Sequence, residues 1–520
     1  MNPEGRDSPS DLGSLAVSPK CSGIASLRAI EGSSPIGRLQ FPVAHFIMLL
    51  RIIDFSRSNS IIDLLNLSKR GSFGKGYIKA VNIFMMRSFS LGSLLVSLVV
   101  GAAISPRTDA VSYDGFKVFR INTHGHPSAV KEKLSGIPFE QWNGDVYKYL
   151  DILVSPDHVA PFEELGLDFQ VMHENLEDSI AAESTPRSAW KRQADDLSWY
   201  DSYHNYEDHI KYFEDLQESF PNNSETISSG TSYQGRSLYG LHLWGASGPG
   251  RPAVLYHGNV HAREWITSPV VEYITLQLIT GYTNGDNLTR SLLDSYDFYI
   301  IPIVNPDGFV YTQTTDRLWR KNRQPPPSGA NQSQIGRDIN RNWEFGWDAN
   351  PQGASTNPGS QTYKGEAPSD APETQGLDKL VRQLRDGPGI KLFIDWHSYG
   401  QYILSPFGYK ETLYAPELGK WTKAASIVSE TIRDSSDART TFTFGPSGAV
   451  LYPTTGAAPD HVYSIGRAEF SYTIELRDTG NFGFVLPPEY IKPTAAEQWE
   501  GQKALLSLLD EEFFDGEGPA

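Results

Sequence analysis

The stretch "RPAVLYHGNVHAREWIT", residues 251–267, joins a short apolar run to a turn, "HGNVHARE", that carries two histidines, an arginine and a glutamate. The run "AVLY" predicts a buried strand, because short apolar segments rich in branched and aromatic side chains favour the extended conformation. A chain that leaves a buried strand usually turns on Gly, Asn and Asp. The charged and imidazole side chains of this turn therefore indicate a functional site at the carboxyl end of a strand.

Three further apolar segments, "DFYIIPIVN", "IKLFIDWHS" and "FSYTIELRD", have the same character, and helical stretches such as "SPVVEYITLQLIT" lie between them. Alternation of this kind predicts an α/β fold, a mixed and mostly parallel sheet with helices on both faces. In such folds the chemistry lies at the carboxyl ends of the strands. The polar residues at or just past these ends are candidate functional residues: His261, Asn305, His397 and Glu475.

The length of 520 residues is sufficient for two or three domains, and the formal net charge of −17 is strongly acidic. Because nucleic-acid binding needs a basic surface, this charge argues against nucleic acid as a partner. Residues 1–105 are nevertheless net basic, and the remainder carries the whole acidic excess. The chain therefore joins two different compositions.

The junction between the two compositions has the form of a secretory signal peptide. The segment "MRSFSLGSLLVSLVVGAAIS", which begins at Met86, has a short basic start, an apolar core and small residues near its end. We interpret residues 86–105 as this signal and residues 1–85 as a gene-model extension or a disordered segment; a signal anchor behind a cytoplasmic tail is the alternative. The first interpretation predicts a secreted, extracellular protein without membrane association after signal removal. Three glycosylation sequons suit that route: Asn222, Asn287 and Asn331.

Residues 106–192 predict a small, ferredoxin-like α+β domain that precedes the main domain, residues 193–520. Strand, helix, strand, helix and strand candidates follow each other closely from "YDGFKVFRI" to "LDFQVMH". A polar stretch without apolar periodicity starts at Glu174 and predicts a linker. It contains the dibasic pair Lys191-Arg192, which we interpret as the cleavage site of a processing protease; a solvated charge pair is the alternative.

A metal site is the chemistry that the turn favours. His261 and Glu264 lie three residues apart, and His397 ends another predicted strand. Two imidazoles and a carboxylate that converge form a catalytic zinc ligand set, which leaves one position open for water. The spacing H-x-x-E alone is weak evidence, because a second copy is present at His204 and Glu207. That copy opens an amphipathic helix, where a solvated helix face is the simpler interpretation.

A general base is needed beside such a metal, and Glu475 in "TIELRDTG" is the candidate. A carboxylate at the end of an apolar strand is costly unless it is paired or functional. Pairing with Arg477 or another arginine is the alternative. The nucleophile motif G-x-S-x-G of serine hydrolases is absent, which disfavours a secreted esterase.

An anionic substrate would require arginines and amides. The segment "DINRNW" places Asn340 beside Arg341, and "DRLWRKNR" supplies Arg317 and Arg320. Arginine suits this task because its planar fork holds a carboxylate with two hydrogen bonds. Solvated surface arginines are the alternative. Tyr452, in a Gly-containing segment, is either a core aromatic or a mobile contact to the substrate.

Seven segments occur in the order found in one known family: "HGNVHAREWIT", "NPDGF", "LWRKNR", "DINRNW", "DWHSYG", "LYPTTGAAPD" and "IELRDTGNFGFVLPP". Together they resemble the zinc metallocarboxypeptidases of the A/B type, and the resemblance runs from about Ser198 to Leu509. It implies a carboxypeptidase-like fold and one zinc ion per chain, held by His261, Glu264 and His397. The small domain resembles the family's propeptide, which would cover the active-site cleft until it is cut away.

The resemblance also implies roles for other side chains. Glu475 would serve as general base and acid, and Arg320 would polarise the scissile carbonyl. The substrate's terminal carboxylate would be held by Asn340, Arg341 and Tyr452, and the groove would be lined by Arg263 and Phe484. Pro459 stands where B-type members carry an acid, so we expect a preference for apolar or aromatic C-terminal residues.

The sequence thus predicts a secreted, monomeric, zinc-dependent carboxypeptidase that acts on peptides and proteins with a free C-terminus after its propeptide is removed. The main alternative is a catalytically inactive relative that binds peptide C-termini. The presence of Glu475 favours the enzyme.

Overall fold

The computed structural model describes residues 110–184 and 197–511, and all of them belong to one compact unit. The extension and the signal peptide predicted before residue 106 lie outside the described residues. So does the predicted cleavage site at Lys191-Arg192. The description below therefore covers the small domain and the main domain that follows it.

The small domain contains a four-stranded antiparallel sheet with the strand order β2-β3-β1-β4. Its elements follow the order β-α-β-β-α-β and end with one more helix. The strands are β1 (Lys117–Asn122), β2 (Phe139–Gln141), β3 (Tyr149–Val154) and β4 (Phe169–His173), and the helices are α1 (Pro127–Lys133), α2 (Pro156–Glu163) and α3 (Leu176–Glu183).

Helix α3 contradicts the linker predicted from residue 174 onward. Its apolar residues Leu176 and Ile180 are four positions apart, so they lie on the same helix face and pack with the side chains of β1 and β3. Two apolar residues were too few to show a periodicity in the sequence. The short strand β2 was missed for the same reason, since three residues cannot show an alternation.

Both faces of the small sheet are covered, because side chains alternate along its strands. Phe119 and Ile121 of β1 pack with Phe162 of α2 on one face. Val118, on the opposite face, belongs to a cluster with Leu318 and Phe484 of the main domain. The second face of the small sheet therefore lies against the main domain.

The main domain is built on an eight-stranded mixed sheet with the strand order β11-β10-β12-β9-β7-β8-β6-β5. Its four central strands, β12-β9-β7-β8, are parallel, and antiparallel pairs join them to the strands on either side. The strands are β5 (Ser224–Thr231), β6 (Ser237–Leu243), β7 (Ala253–His257), β8 (Asp297–Ile301), β9 (Ile390–Ser398), β10 (Tyr402–Ser405), β11 (Thr443–Pro446) and β12 (Phe470–Leu476). The predicted mixed α/β sheet is confirmed.

Helices cover both faces of this sheet. Val254 and Tyr256 of β7 belong to one buried cluster, whereas Ala253 and Leu255 belong to another, as the alternation along a strand requires. The helices are α4 (Tyr206–Ser219), α5 (Thr267–Asn284), α6 (Asn287–Ser295), α7 (Pro306–Thr314), α8 (Pro372–Asp386), α9 (Leu418–Ser435), α10 (Ser447–Val450), α11 (Ala458–Ser464) and α12 (Ile491–Leu508). Among the described residues, no helix has both the length and the apolar character needed to cross a membrane.

The turn after β7 is fixed by its backbone. A Cβ atom on Gly258 would lie 2.6 Å from the carbonyl oxygen of Pro302, so a larger residue would not fit there. Asn259 follows with a φ of +52°, and its amide nitrogen donates to the carbonyl oxygen of Glu264 at 3.3 Å. The chain therefore folds back and holds His261 and Glu264 at the carboxyl edge of the sheet.

Candidate metal centre and active site

His261, Glu264 and His397 converge at this edge. Nδ1 of His261 lies 2.8 Å from Oε1 of Glu264, and Nδ1 of His397 lies 3.0 Å from Oε2 of the same carboxylate. The two Nδ1 atoms are 3.1 Å apart, and all three residues are buried. Two imidazole nitrogens directed at each other and at one carboxylate form a donor set for a shared cation, and zinc accepts both ligand types. The residues present therefore fit a zinc ion.

Two buried aspartates support the histidines from behind. Oδ1 of Asp338 lies 3.1 Å from Nε2 of His261, and Oδ2 of Asp395 lies 2.8 Å from Nε2 of His397. Each carboxylate accepts a hydrogen bond from Nε2–H, which keeps the proton on that nitrogen and leaves the Nδ1 lone pair of the imidazole free for a metal. This arrangement fixes both the tautomer and the orientation of each ring.

The sequence analysis missed both aspartates. Asp395 could have been found, because it precedes His397 by two residues on the same strand and therefore shares its face. Asp338 carries no local signal, since it is 77 positions from His261.

The carboxylate of Glu264 is held in its ionised form. Burial alone would raise its pKa, but the imidazoles of His261 and His397 more than offset this effect, and the pKa lies well below the usual range. The backbone N–H of Ser398 also donates to Oε2 of Glu264 at 3.1 Å. Glu264 thus offers a negative charge to a cation at this position.

The second H-x-x-E pair does not form a site. The ring of His204 stacks on Trp199 with 3.6 Å between centroids, and its Nε2 atom lies 2.7 Å from the carbonyl oxygen of Trp199. Glu207 is exposed in the first turn of α4. Within residues 110–184 and 197–511, only His261, Glu264 and His397 form a group of three that could hold a metal.

The metal triad lies in a cleft between the small domain and the main domain. With the exception of Arg263, every residue to which the family resemblance gave a role lines this cleft: His261, Glu264, Arg320, Asn340, Arg341, His397, Tyr452, Pro459, Glu475 and Phe484. Asn305, a candidate from its position after a strand, instead caps α7 by accepting from the backbone N–H of Gly308 at 3.1 Å. Arg263 lies beside it, with its guanidinium 4.0 Å from the ring centroid of Phe484. Ten residues from separate segments of the chain are thus gathered around one cavity.

Glu475 lies on β12 directly opposite His397 in the strand register. Burial raises the pKa of its carboxyl group to about 8, while the nearby imidazole of His397 opposes that shift. The alternative pairing of Glu475 with Arg477 is wrong, because both guanidinium contacts of Arg477 to a carboxylate go to Glu497. Glu475 therefore faces the cleft without Arg477 as its counter-ion.

The arginines of the cleft differ in their partners. Arg320 donates from Nη2 to Oδ2 of Asp338 at 2.8 Å. Arg341 is only 3% exposed, and none of the described residues places a carboxylate oxygen within 4.0 Å of its guanidinium. Its Nη1 atom donates to the carbonyl oxygen of Asn340 at 2.8 Å, and its Nη2 atom lies 3.5 Å from the hydroxyl of Tyr452. Arg341 thus makes no direct ion pair with a described carboxylate, although its charge contributes to lowering the pKa of the nearby Asp338, and its guanidinium is a candidate receptor for an anionic ligand.

The small domain lies over this cleft. Trp142, Asn143 and Gly144 contribute to its lining, and Oε1 of Glu140 accepts from Nη1 of Arg263 at 2.7 Å. A Cβ atom on Gly144 would overlap the ring of Tyr452, which shows how closely the two domains approach. These contacts could not be read from the sequence, because they join residues more than 100 positions apart.

A second buried contact joins the domains at the end of α3. Glu183 accepts from Nε and Nη2 of Arg317 at 2.7 and 2.8 Å, and both side chains are nearly inaccessible. Arg317 therefore serves the domain interface, whereas Arg320 lies inside the cleft.

Comparison with known proteins agrees with this geometry. A family model described as zinc carboxypeptidase matches residues 209–501, more than half of the chain. The chain belongs to the zinc carboxypeptidase family. It is therefore a metallocarboxypeptidase, a zinc-dependent hydrolase of peptides or proteins with a free C-terminus, as the sequence predicted.

The similar proteins include fungal relatives and solved structures. A metallocarboxypeptidase A-like protein of Trichophyton verrucosum is 40% identical over 440 residues, which cover 82% of this chain and 100% of that protein. Carboxypeptidase A of Helicoverpa armigera has a TM-score of 0.65 at 27% identity, over 76% of this chain and 98% of that chain. Thrombin activatable fibrinolysis inhibitor has a TM-score of 0.68 at 27% identity, with the same coverage of both chains.

Proposed function

We propose that this protein is a secreted carboxypeptidase zymogen that, after its small domain is cut off, releases apolar or aromatic residues from the C-termini of peptides and proteins. The observation that carries the proposal is the buried guanidinium of Arg341 in the cleft of the metal triad. A receptor for a terminal carboxylate beside a catalytic metal restricts attack to the last peptide bond. The exopeptidase action then follows from the short distance between the carboxylate receptor and the catalytic metal.

The metal ligands in this proposal are His261, Glu264 and His397, one zinc ion per chain. Zinc supplies Lewis acidity toward a carbonyl and lowers the pKa of water. Arg320, which Asp338 holds inside the cleft, donates to the scissile carbonyl oxygen as negative charge develops on it. Because such a donor acts mainly in the transition state, its removal should lower kcat by about 10²–10³.

In its ionised form, which a cation held by the metal triad would favour over the burial effect, Glu475 takes the proton of the attacking water and delivers it to the leaving amine. Its position opposite His397 and its freedom from Arg477 support this role. The variant Glu475→Gln should retain zinc and lose about 10²–10⁴ in kcat, measured on a blocked dipeptide. The enzyme hypothesis fails if the wild-type protein binds zinc and substrate but hydrolyses nothing, which is the behaviour of an inactive relative.

Arg341 is proposed to bind the terminal carboxylate together with Asn340 and Tyr452. The loss of charge-assisted hydrogen bonds in Arg341→Ala should raise KM about 10–100-fold for a substrate with a free carboxylate. An amidated substrate should be poor for wild type and variant alike. Arg382→Ala is the matched control, because the ion pairs of this α8 residue lie outside the cleft. Equal cleavage of free and amidated substrates by the wild type would contradict the clamp.

The preference for apolar or aromatic residues rests on the lining of the cleft beside the clamp. Leu404, Leu451 and Pro459 contribute apolar side chains there. The carboxyl group of Asp460 is already engaged by the backbone N–H of Gly408 at 2.9 and 3.1 Å, and burial raises its pKa to about 7. We expect cleavage of a dipeptide ending in Phe, abolished by a chelator, and little cleavage of one ending in Arg. A preference for Arg would refute this part of the proposal.

Inhibition by the small domain is supported by its contacts with the cleft, above all Glu140 with Arg263 and Gly144 with Tyr452. The intact chain should be inactive, and cleavage after Arg192 should activate it. A double substitution, Lys191→Ser with Arg192→Ser, should block activation by the processing protease. Full activity of the uncleaved chain would contradict the zymogen.

Secretion is supported by the predicted signal and by the exposure of all three sequon asparagines, Asn222, Asn287 and Asn331. Mass spectrometry of secreted material should find no residue before position 86 and glycans on these side chains. Its mass in solution should be that of a monomer. A secreted protein that retains residues 1–85 would contradict the predicted start at Met86.

A further inference from the structure

His257, the last residue of β7, is completely buried, and the mechanism above does not use it. Neither of its ring nitrogens has a hydrogen-bond partner among the described residues. Burial lowers its pKa to about 4, so the ring is neutral at neutral pH and carries one N–H group. A buried polar group without a partner is costly and needs an explanation.

Asp395 presents the complementary group. It is the register partner of His257 on the adjacent parallel strand β9, so both side chains lie on the same face of the sheet. Its Oδ2 atom contacts Nε2 of His397 at 2.8 Å, whereas its Oδ1 atom is buried without a partner among the described residues. A donor and an acceptor, both unsatisfied, thus stand side by side behind the metal triad.

The His257 ring also has an apolar neighbour. It meets Phe393 edge to face, with 5.0 Å between ring centroids and an interplanar angle of 81°. The negative charge of Asp395 also opposes the burial effect on the His257 pKa, as expected for neighbouring groups. Among these neighbours, Asp395 is the one that can accept the ring N–H.

We propose that His257 is a positioning residue of the zinc site, whose ring N–H serves Oδ1 of Asp395 across one buried water molecule. Asp395 is then held at both oxygens and keeps the imidazole of His397 at a fixed angle, with Nδ1 toward the metal. The inference rests on the proposed role of His397 as a zinc ligand. Carboxylates that support ligand histidines typically change metal affinity about 10–100-fold when they are removed, so a residue that orients one should have a smaller effect in the same direction.

The test is the zinc dissociation constant of the full-length chain, measured by competition with a chromophoric chelator. His257→Leu, which removes the donor and keeps the approximate volume, should weaken zinc binding about 3–10-fold. His257→Gln, which keeps an N–H donor, should stay within about 2-fold of wild type. Tyr256→Phe, which removes a buried hydroxyl that donates to Gln502, is the matched control on the same strand and should leave zinc binding unchanged.

A second arm separates positioning from general destabilisation. In an Asp395→Asn background, His257→Leu should add almost no further loss of zinc affinity, because its target is gone. Unchanged zinc binding in His257→Leu, or an undiminished effect in Asp395→Asn, would overturn the inference. If His257→Leu does not fold, the zinc affinity of His257→Gln is the deciding measurement. A 10-fold loss of zinc affinity in His257→Gln would overturn the inference. A wild-type chain that binds no zinc would overturn the proposed metal site itself.

Discussion

The two H-x-x-E pairs of this chain have the same local spacing and different surroundings. His261 and Glu264 follow a buried parallel strand and meet His397, with 3.0 Å between Glu264 and the distant imidazole. His204 and Glu207 stand at the start of α4, where the histidine stacks on Trp199 and the glutamate is exposed. Three-residue spacing therefore does not define a metal site. The third ligand and the carboxylates behind the histidines define it, and they come from other strands and loops.

The two histidines, His261 and His204, also differ in their electrostatic surroundings. Around His261, buried carboxylates on both ring nitrogens fix the tautomer and orientation that a metal ligand would need. Around His204, burial lowers the pKa to about 4, with the nearby ring of His209 adding to the effect, and a backbone carbonyl is the polar contact of the ring. The first environment suits a cation, whereas the second suits a neutral aromatic ring.

The largest expected difference between the two pairs is in zinc binding. Glu264→Gln should lose zinc and activity, with zinc affinity falling by more than about 100-fold, because it removes a ligand and not merely its support. Glu207→Gln should change neither by more than about 2-fold. Metal content by elemental analysis and kcat/KM on a blocked dipeptide measure both variants. Equal losses of zinc in Glu264→Gln and Glu207→Gln would contradict the assignment of the metal site to the pair His261 and Glu264.

A smaller effect is expected from the carboxylate behind His261. Asp338→Asn keeps the shape of the side chain but removes the charge that holds both Nε2 of His261 and the guanidinium of Arg320. Zinc affinity should fall about 10–100-fold, measured by chelator competition. An unchanged affinity would mean that the ligands alone, without their carboxylates, account for the difference between the two pairs.

A substitution of His204 should change the pH dependence of the protein's stability and leave zinc binding unchanged. Its folded-state pKa of about 4 lies below the unfolded value of about 6.5, so the unfolded chain binds more protons between these limits. Its contribution to stability is therefore present above about pH 6.5 and is lost as the pH falls toward 4. The variant His204→Phe keeps a stacked ring but cannot take up a proton. Between pH 7 and pH 5.5, the free energy of unfolding of the wild type should fall by of the order of 1 kcal/mol more than that of the variant, after discounting for partial exposure. Parallel urea titrations of the two proteins would show the same pH dependence if this assignment were wrong.

An effect of similar size is expected at the start of α4, the helix that His204 and Glu207 open. The side-chain oxygen of Asn205 accepts from the backbone N–H of Asp208 at 2.9 Å and so caps α4. Asn205→Ala should cost about 1 kcal/mol in the free energy of unfolding and leave zinc affinity unchanged. A loss of zinc in this variant would show that the pair His204 and Glu207 is linked to the metal centre after all.

The sequence was sufficient for features that a strand and its end encode locally. Apolar runs such as "AVLY" and "LFI" predicted the central parallel strands, and polar residues after them predicted which edge carries the chemistry. The gathering of His261, Glu264 and His397 follows from that topology, because neighbouring parallel strands end at one edge.

Features that depend on distant partners were not predictable in this way. Helix α3 forms because Leu176 and Ile180 pack against the small sheet, and two apolar residues within a polar stretch gave no periodicity. The pairing of Arg317 with Glu183 joins positions 134 apart. The sequence "DRLWRKNR" alone therefore does not tell which arginine lies at the domain interface and which lies in the cleft. Such contacts are set by tertiary packing and not by local residue preference.

The separation of the ligands along the chain also bears on when the metal can be acquired. His261 and His397 are 136 positions apart, and β9 must lie beside β7 before their nitrogens can approach. A nascent polypeptide that ends before β9 offers an incomplete donor set to any cation. If His261, Glu264 and His397 hold the zinc ion, we expect zinc to load late, after β9 has joined the central sheet.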